Sequence, residues 1–168
     1  MPPVTLSDGM LVIVNIAAWA ILHIVPAWLG MRVPPGRFDH RARLYRERRF
    51  ERGGRLYERL FAIRRWKGLL PDGARLFTGG FAKKNLAPGD DPAAYYTRFV
   101  QETCRGELVH WIVLGCAALF FLWNPPWAGW IMVGYALLVN LPCILAQRYN
   151  RIRLVRLLHR ARAAEAAR

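Results

Sequence analysis

The chain has 168 residues, a formal net charge of +14, 54% hydrophobic residues and 21% charged residues. Its length suits one domain, and its apolar and charged residues fall in separate blocks, which excludes an ordinary soluble domain that would interleave them. Cys104, Cys116 and Cys143 are widely spaced, odd in number and form no CxxC, so reduced thiols are expected rather than a disulfide framework.

The first apolar block, MLVIVNIAAWAILHIVPAWL, runs over 10–29 without a formal charge. That is the length a helix needs to cross a hydrocarbon core of about 30 Å. A signal peptide would want a basic leader and a shorter apolar core. The preceding MPPVTLSDG has no Lys or Arg, so a retained membrane helix is predicted. Asn15, His23 and Pro26 interrupt the block and read as helix–helix contacts.

Composition then inverts. Residues 31–105 hold 18 Lys+Arg against 8 Asp+Glu. Within this segment 41–65 predicts one or two basic amphipathic helices, with Gly53-Gly54 between them, suited to a membrane surface. Leu70-Pro71-Asp72-Gly73 and Pro88-Gly89-Asp90-Asp91-Pro92 read as turns. A helix over 92–103 is expected to lead into the second apolar block, which reaches a marginal span at 107–124. Asn124-Pro125-Pro126-Trp127 leaves room only for a tight connection before the third block, 129–147. The tail from Arg148 carries seven Arg against one Glu.

Basic residues mark the cytoplasmic side of a membrane protein. The 31–105 segment and the 148–168 tail are therefore expected inside, and the N-terminus and the 124–128 turn outside. The expected architecture is an all-α membrane protein. It is a single domain of three transmembrane helices, with cytoplasmic amphipathic helices between the first and second. A re-entrant hairpin of the last two blocks is the alternative. On this reading the positive charge serves topology and anionic headgroups, so membrane lipids are the expected partners and nucleic acid is not. The expected location is a bacterial cytoplasmic membrane, with oligomeric state open.

Candidate chemistry concentrates where the second helix meets the charged segment. Glu107 and His110 are three residues apart and share a helical face. Ionisable groups at a membrane boundary are costly and usually paired or functional, and a Glu near a His could orient a general base. Gln147, Arg148, Asn150 and Arg151 are expected at the same depth on the third helix, where they could hold phosphate or stabilise an oxyanion. Asn140 reads as an interhelical hydrogen-bonding residue. Trp66 is expected in the interface, and Arg64, Arg65 and Lys67, with Lys83-Lys84 beyond, could take phosphates, either of lipid or of an acyl-CoA donor. No GxGxxG, P-loop, GxSxG or zinc spacing is present, so no bound cofactor or metal is expected.

Three runs in order, FERGGRLYERLFAIRRWKGLLPDG, ETCRGELVHW and YALLVNLPCILAQRYNRIRL, together with LGMRVP at the end of the first helix, resemble the glycosyl-4,4'-diaponeurosporenoate acyltransferases of staphyloxanthin-type carotenoid biosynthesis. The resemblance spans roughly 28–158. It implies a small membrane enzyme that esterifies a sugar hydroxyl of a carotenoid glycoside with a fatty acyl group, using acyl-CoA or a similar donor as co-substrate. The resemblance supplies no catalytic residues. The residues themselves suggest His110 as the base, Glu107 as its orienting partner and the Gln147–Arg151 run as binding groups. A non-catalytic membrane subunit or lipid-binding adaptor is the rival reading, and a small membrane methyltransferase is a second.

Overall fold

The computed structural model describes residues 2–4, 6–70, 81, 86 and 88–167. Among these the chain is helical, with no strand. The expected turn at 70–73 and the Lys83-Lys84 pair lie, apart from Leu70, outside the described residues.

Helix α1 spans Asp8–Arg32. At 1.5 Å per residue it is about 37 Å long, enough for a hydrocarbon core of about 30 Å. None of its residues is buried, because it packs on the outside of the other two long helices. Gly30 permits its closest approach, since a Cβ there would stand 3.1 Å from Val109 Cγ2. This is the small-residue contact that brings membrane helices together. At the same end the Arg32 guanidinium lies 3.9 Å over the Trp28 ring, a pairing suited to a bilayer interface.

Helix α4, Pro92–Cys116, begins well before the apolar block. Asp91 caps it by accepting from the Ala94 N–H at 2.8 Å, and Pro92 occupies the first turn, where its missing N–H costs nothing. A 3₁₀ stretch, Ala117–Leu122, extends it to the connection. Asn124 closes that connection by donating to the Phe120 carbonyl at 3.0 Å. Gly129 sits against Phe121, where an added Cβ would meet the ring at 2.5 Å, so a side chain there would wedge the turn apart.

Helix α5 runs unbroken over Pro126–Ala166. Its length of about 60 Å is twice a hydrocarbon core, so the arginine-rich tail continues the helix beyond the apolar zone rather than forming a separate tail. Pro142 lies inside it and cannot donate to the Leu138 carbonyl. α4 and α5 run antiparallel and form the main helix pair. The helices at 8–32, 92–122 and 126–166 are each long and apolar enough to cross a membrane; the protein is an all-helical membrane protein.

The basic segment departs from expectation. Residues 40–46 are turns and bends rather than helix. A 3₁₀ turn at Arg49–Gly54 leads through Gly54, at φ +91°, into the short helices α2, Arg55–Phe61, and α3, Ile63–Trp66. The reason lies in the carbonyls. Those of Leu44 and Arg46 accept from Arg148, and that of Tyr45 accepts from Arg151. A helix continuing through 50 would have used these carbonyls for the N–H groups of residues 48–50. Satisfying two buried guanidiniums wins.

Candidate active site

Where α4 and α5 meet the basic segment, four ionised side chains leave the solvent together. Glu51 and Glu107 are 0% exposed and Arg151 is 3% exposed, while the Arg148 side chain is 15% exposed. Burying any one of these alone would cost several kcal/mol. Two carboxylates and two guanidiniums cancel, and their geometry is near saturation. Arg148 Nη1 donates to Glu107 Oε1 at 2.8 Å and to the Leu44 carbonyl at 3.0 Å. Its Nε donates to Glu51 Oε1 at 3.1 Å and reaches the Tyr57 hydroxyl at 3.3 Å. Its Nη2 reaches the Arg46 carbonyl and Glu51 Oε2, each at 3.4 Å. Arg151 Nη2 pairs with Glu107 Oε2, and its Nε donates to the Tyr45 carbonyl at 3.1 Å. Trp111 Nε1 completes the Glu107 shell at 3.1 Å.

The Tyr57 hydroxyl and the Arg48 N–H both donate to Glu51. Burial alone would raise the Glu51 pKa. The hydrogen bonds from Arg148, Tyr57 and the Arg48 backbone outweigh it and hold the carboxyl below its ordinary value. Burial, and next the carboxylate it donates to, push the Tyr57 phenol up to about 12.

His110 takes a different partner from the one its spacing suggested. Its Nδ1 lies 2.9 Å from Asn140 Oδ1 on α5. The Asn140 amide is fixed because its Nδ2 donates to the Ala136 carbonyl at 2.9 Å. Oδ1 is therefore the acceptor, which assigns the proton to Nδ1 and the lone pair to Nε2. Glu107 and His110 share a helical face as expected, yet the carboxylate turns to the arginines and Trp111 while the imidazole turns to Asn140. The guanidiniums, which need a carboxylate where they leave solvent, are the stronger competitors for Glu107. Helix rotation decides this, and sequence spacing does not reveal it.

A second polar cluster forms around the Tyr149 hydroxyl. That group donates to Glu58 Oε1 at 2.7 Å and accepts from Arg64 Nε and Arg153 Nη1, each at 3.1 Å. Lys67 Nζ donates to Asn150 Oδ1 at 2.7 Å and sits 5.1 Å over the Tyr149 ring. Trp66 turns its indole N–H back to the Phe61 carbonyl at 2.6 Å, and Arg65 is exposed. Gln147 is half-buried. Burial, and then the charges of Arg153 and Arg64, lower the Lys67 pKa.

Two apolar grooves run from this end into the membrane zone. One, of about 470 Å³, lies between Phe61 and Trp66 and the Gly134–Leu145 face of α5. The other, of about 220 Å³, lies between α1 and α4 and ends at Phe38 and the buried Arg105. Arg105 pairs with Glu102, which also lies 3.0 Å from Arg98. Cys104 packs against Phe38 and Tyr45 as a small apolar residue.

The family model described as glycosyl-4,4'-diaponeurosporenoate acyltransferase matches residues 41–160. The chain belongs to the glycosyl-4,4'-diaponeurosporenoate acyltransferase family. Relatives of that name from Staphylococcus aureus strains bovine RF122 / ET3-1, USA300 and NCTC 8325 / PS 47 are each 31% identical over 140 residues, covering 83% of this chain and 83% of theirs. No solved structure matches the chain. The family's matched stretch takes in every member of the ionic cluster, the His110–Asn140 pair and the Tyr149 cluster, and leaves out α1. This family of acyltransferases is thus matched over the polar architecture at the basic end, built on α4, α5 and the segment between α1 and α4. The sequence pattern had missed Glu51, Tyr57 and Tyr45. Glu51 stands among Arg48, Arg49 and Arg52 and reads like a solvated acid in a basic run.

Proposed function

We propose that the protein transfers a fatty acyl group from an activated donor, an acyl-CoA or similar carrier, to a hydroxyl of a lipid-like acceptor, by kinship a carotenoid glycoside. The site faces the cytoplasm of a bacterial inner membrane, with the N-terminus outside and the C-terminus inside. The asymmetry of Lys and Arg between the two ends supports that orientation. The single observation that carries the mechanism is the amide-fixed imidazole. Asn140 holds the His110 tautomer so that Nε2 carries the lone pair, an arrangement also used by Cys-His-Asn hydrolases.

In this scheme His110 Nε2 takes the proton of the acceptor hydroxyl as its oxygen attacks the acyl carbonyl. The new bond is the ester C–O bond. The bond that breaks joins the acyl carbon to the thiol sulfur of the donor, and the proton leaves with that thiolate. Glu107 acts as a positioning residue. Its two arginine partners lock α4 against α5 and so set His110 opposite Asn140. Arg148, whose N–H groups meet internal acceptors, belongs to the same frame. Arg151, bonded to Glu107 and to the Tyr45 carbonyl, belongs to that frame as well. Gln147 and exposed Arg65 face the donor's polar portion. Arg64, Trp66, Lys67 and Asn150 stand farther off, Asn150 being about 15 Å along α5 from Asn140, and they do not touch the reacting carbonyl.

A purely structural role fits the ionic cluster well, because its bonds close on themselves, and on that reading the His110–Asn140 bond serves only to join α4 to α5. The test is product analysis. Purified protein in lipid nanodiscs, given palmitoyl-CoA and a glycosylated carotenoid, should yield the acyl ester by mass spectrometry together with free CoA. Unchanged acceptor, with palmitoyl-CoA intact, would return the protein to the adaptor reading.

A further inference from the structure

The larger groove lies on the outward face of α5. Gly134, Leu137, Leu138, Leu141 and Leu145 recur at helical spacing along it. Asn140 is about 115° round the helix from the middle of this stripe, so the groove does not open on His110. Its roof is the basic segment. Ala62 takes a left-handed φ of +46° and turns α2 into α3, which brings Phe61 and Trp66 over the stripe. The Trp66 N–H is already bonded to the Phe61 carbonyl, so the face of the indole is left to cover apolar matter. In a bilayer such a groove is filled by something apolar.

Three observations identify the occupant. The first is length. Gly134 to Leu145 spans about 17 Å along the axis, close to half of a hydrocarbon core of about 30 Å. That accommodates one leaflet's acyl chain and not a molecule that crosses the bilayer. The second is charge. Arg64 and Lys67 flank Trp66 in the segment that roofs the groove, and with Arg153 they gather round Tyr149, four residues beyond Leu145; Glu58 is the one carboxylate bonded into the group among the described residues. The third is an unmet donor capacity. The half-buried Lys67 ammonium has three donors and, among the described residues, one hydrogen bond, to a neutral amide oxygen. Crowded cations around an under-coordinated ammonium fit a phosphate.

We propose that this groove is a binding site for one anionic phospholipid of the adjoining leaflet, with an acyl chain along Gly134–Leu145 under Trp66 and its phosphate on Lys67, Arg64 and Arg153. The lipid braces the basic segment against α5 and is not consumed. A second copy of the chain would bring a like-charged cluster to the same place.

Native mass spectrometry of the full chain, released from nanodiscs of mixed phosphatidylglycerol and phosphatidylcholine, tests this. Wild-type protein should retain one phosphatidylglycerol in preference to phosphatidylcholine. Lys67→Ala should weaken that retention about tenfold or more, the size of a lost charge-assisted hydrogen bond, and Lys67→Arg should restore it. Gly134→Phe should abolish it with no change of charge. Nothing lies within 4 Å of a Cβ at Gly134, so the fold tolerates that residue, and circular dichroism checks it. Arg160→Ala, which removes an exposed tail charge, should change nothing. Equal retention of both lipids, or an Arg160→Ala loss matching that of Lys67→Ala, overturns the site. A Gly134→Phe variant that keeps its lipid but loses a wild-type dimer shows instead that the face is a self-interface. His110→Ala should retain lipid normally, so the result stands or falls separately from acyl transfer.

Discussion

The two ends of the membrane helices solve the same problem with different chemistry. Away from the basic residues, Asn15 on α1 bonds reciprocally with Asn124 at 2.9 Å and accepts from Trp123 Nε1 at 2.8 Å. All three are neutral and hold α1 to the α4–α5 turn. At the opposite end Glu51, Glu107, Arg148 and Arg151 are ionised and buried. Neutral amides lose little when separated, since an interhelical hydrogen bond in a bilayer averages about 0.6 kcal/mol. A buried ion left without its partner is far more costly. The neutral end therefore tolerates adjustment, and the charged end fixes one geometry. A site that needs an imidazole held to a fraction of an ångström belongs beside the charged end, where His110 is found.

The comparison breaks most sharply at Glu107. Glu107→Ala strands the buried Arg151 guanidinium, leaves Arg148 with Glu51 alone, and should cost about 3–5 kcal/mol, read as lost thermal stability and yield in detergent. A loss no larger than that of an ordinary surface substitution would mean the cluster is not buried as described. Glu51→Gln should have a smaller effect, one that depends on pH. The folded carboxyl titrates below its ordinary value of 4.5, so the unfolded state binds more protons and stability rises with pH across that window. The wild-type melting temperature should hold above about pH 4.5 and fall as the pH drops below it, and the Glu51→Gln profile should be flatter there. Asn15→Ala should do least, about 0.6–1.7 kcal/mol, with turnover nearly unchanged. If it matched Glu107→Ala, the two ends would not differ as argued.

Much of the fold was legible because the bilayer imposes a length, and the three apolar blocks announce it. The extent of the helices was less so. α5 persists to Ala166 because the arginine-rich tail favours helix, a preference the charge pattern had obscured. The basic segment is the opposite case. Its apolar and charged spacing suggests helices over 41–65, yet the carbonyls of residues 44–46 are diverted to Arg148 and Arg151. No local pattern encodes a requirement set by side chains a hundred residues away. At the site, the sequence placed Glu107 and the Gln147–Arg151 run at one depth, and Glu107 does meet Arg148 and Arg151. Asn140 read as an interhelical hydrogen-bonding residue and is one, but that its partner is His110 was not legible until the rotation of α5 was known.

The claim on which the chemistry rests is that His110, held by Asn140, takes the acceptor's proton. Steady-state acyl transfer by purified His110→Ala in nanodiscs measures it directly. The account predicts a loss of about 10²–10⁴-fold with helix content and melting temperature close to wild type. A variant that folds normally and still transfers the acyl group at nearly the wild-type rate would contradict it.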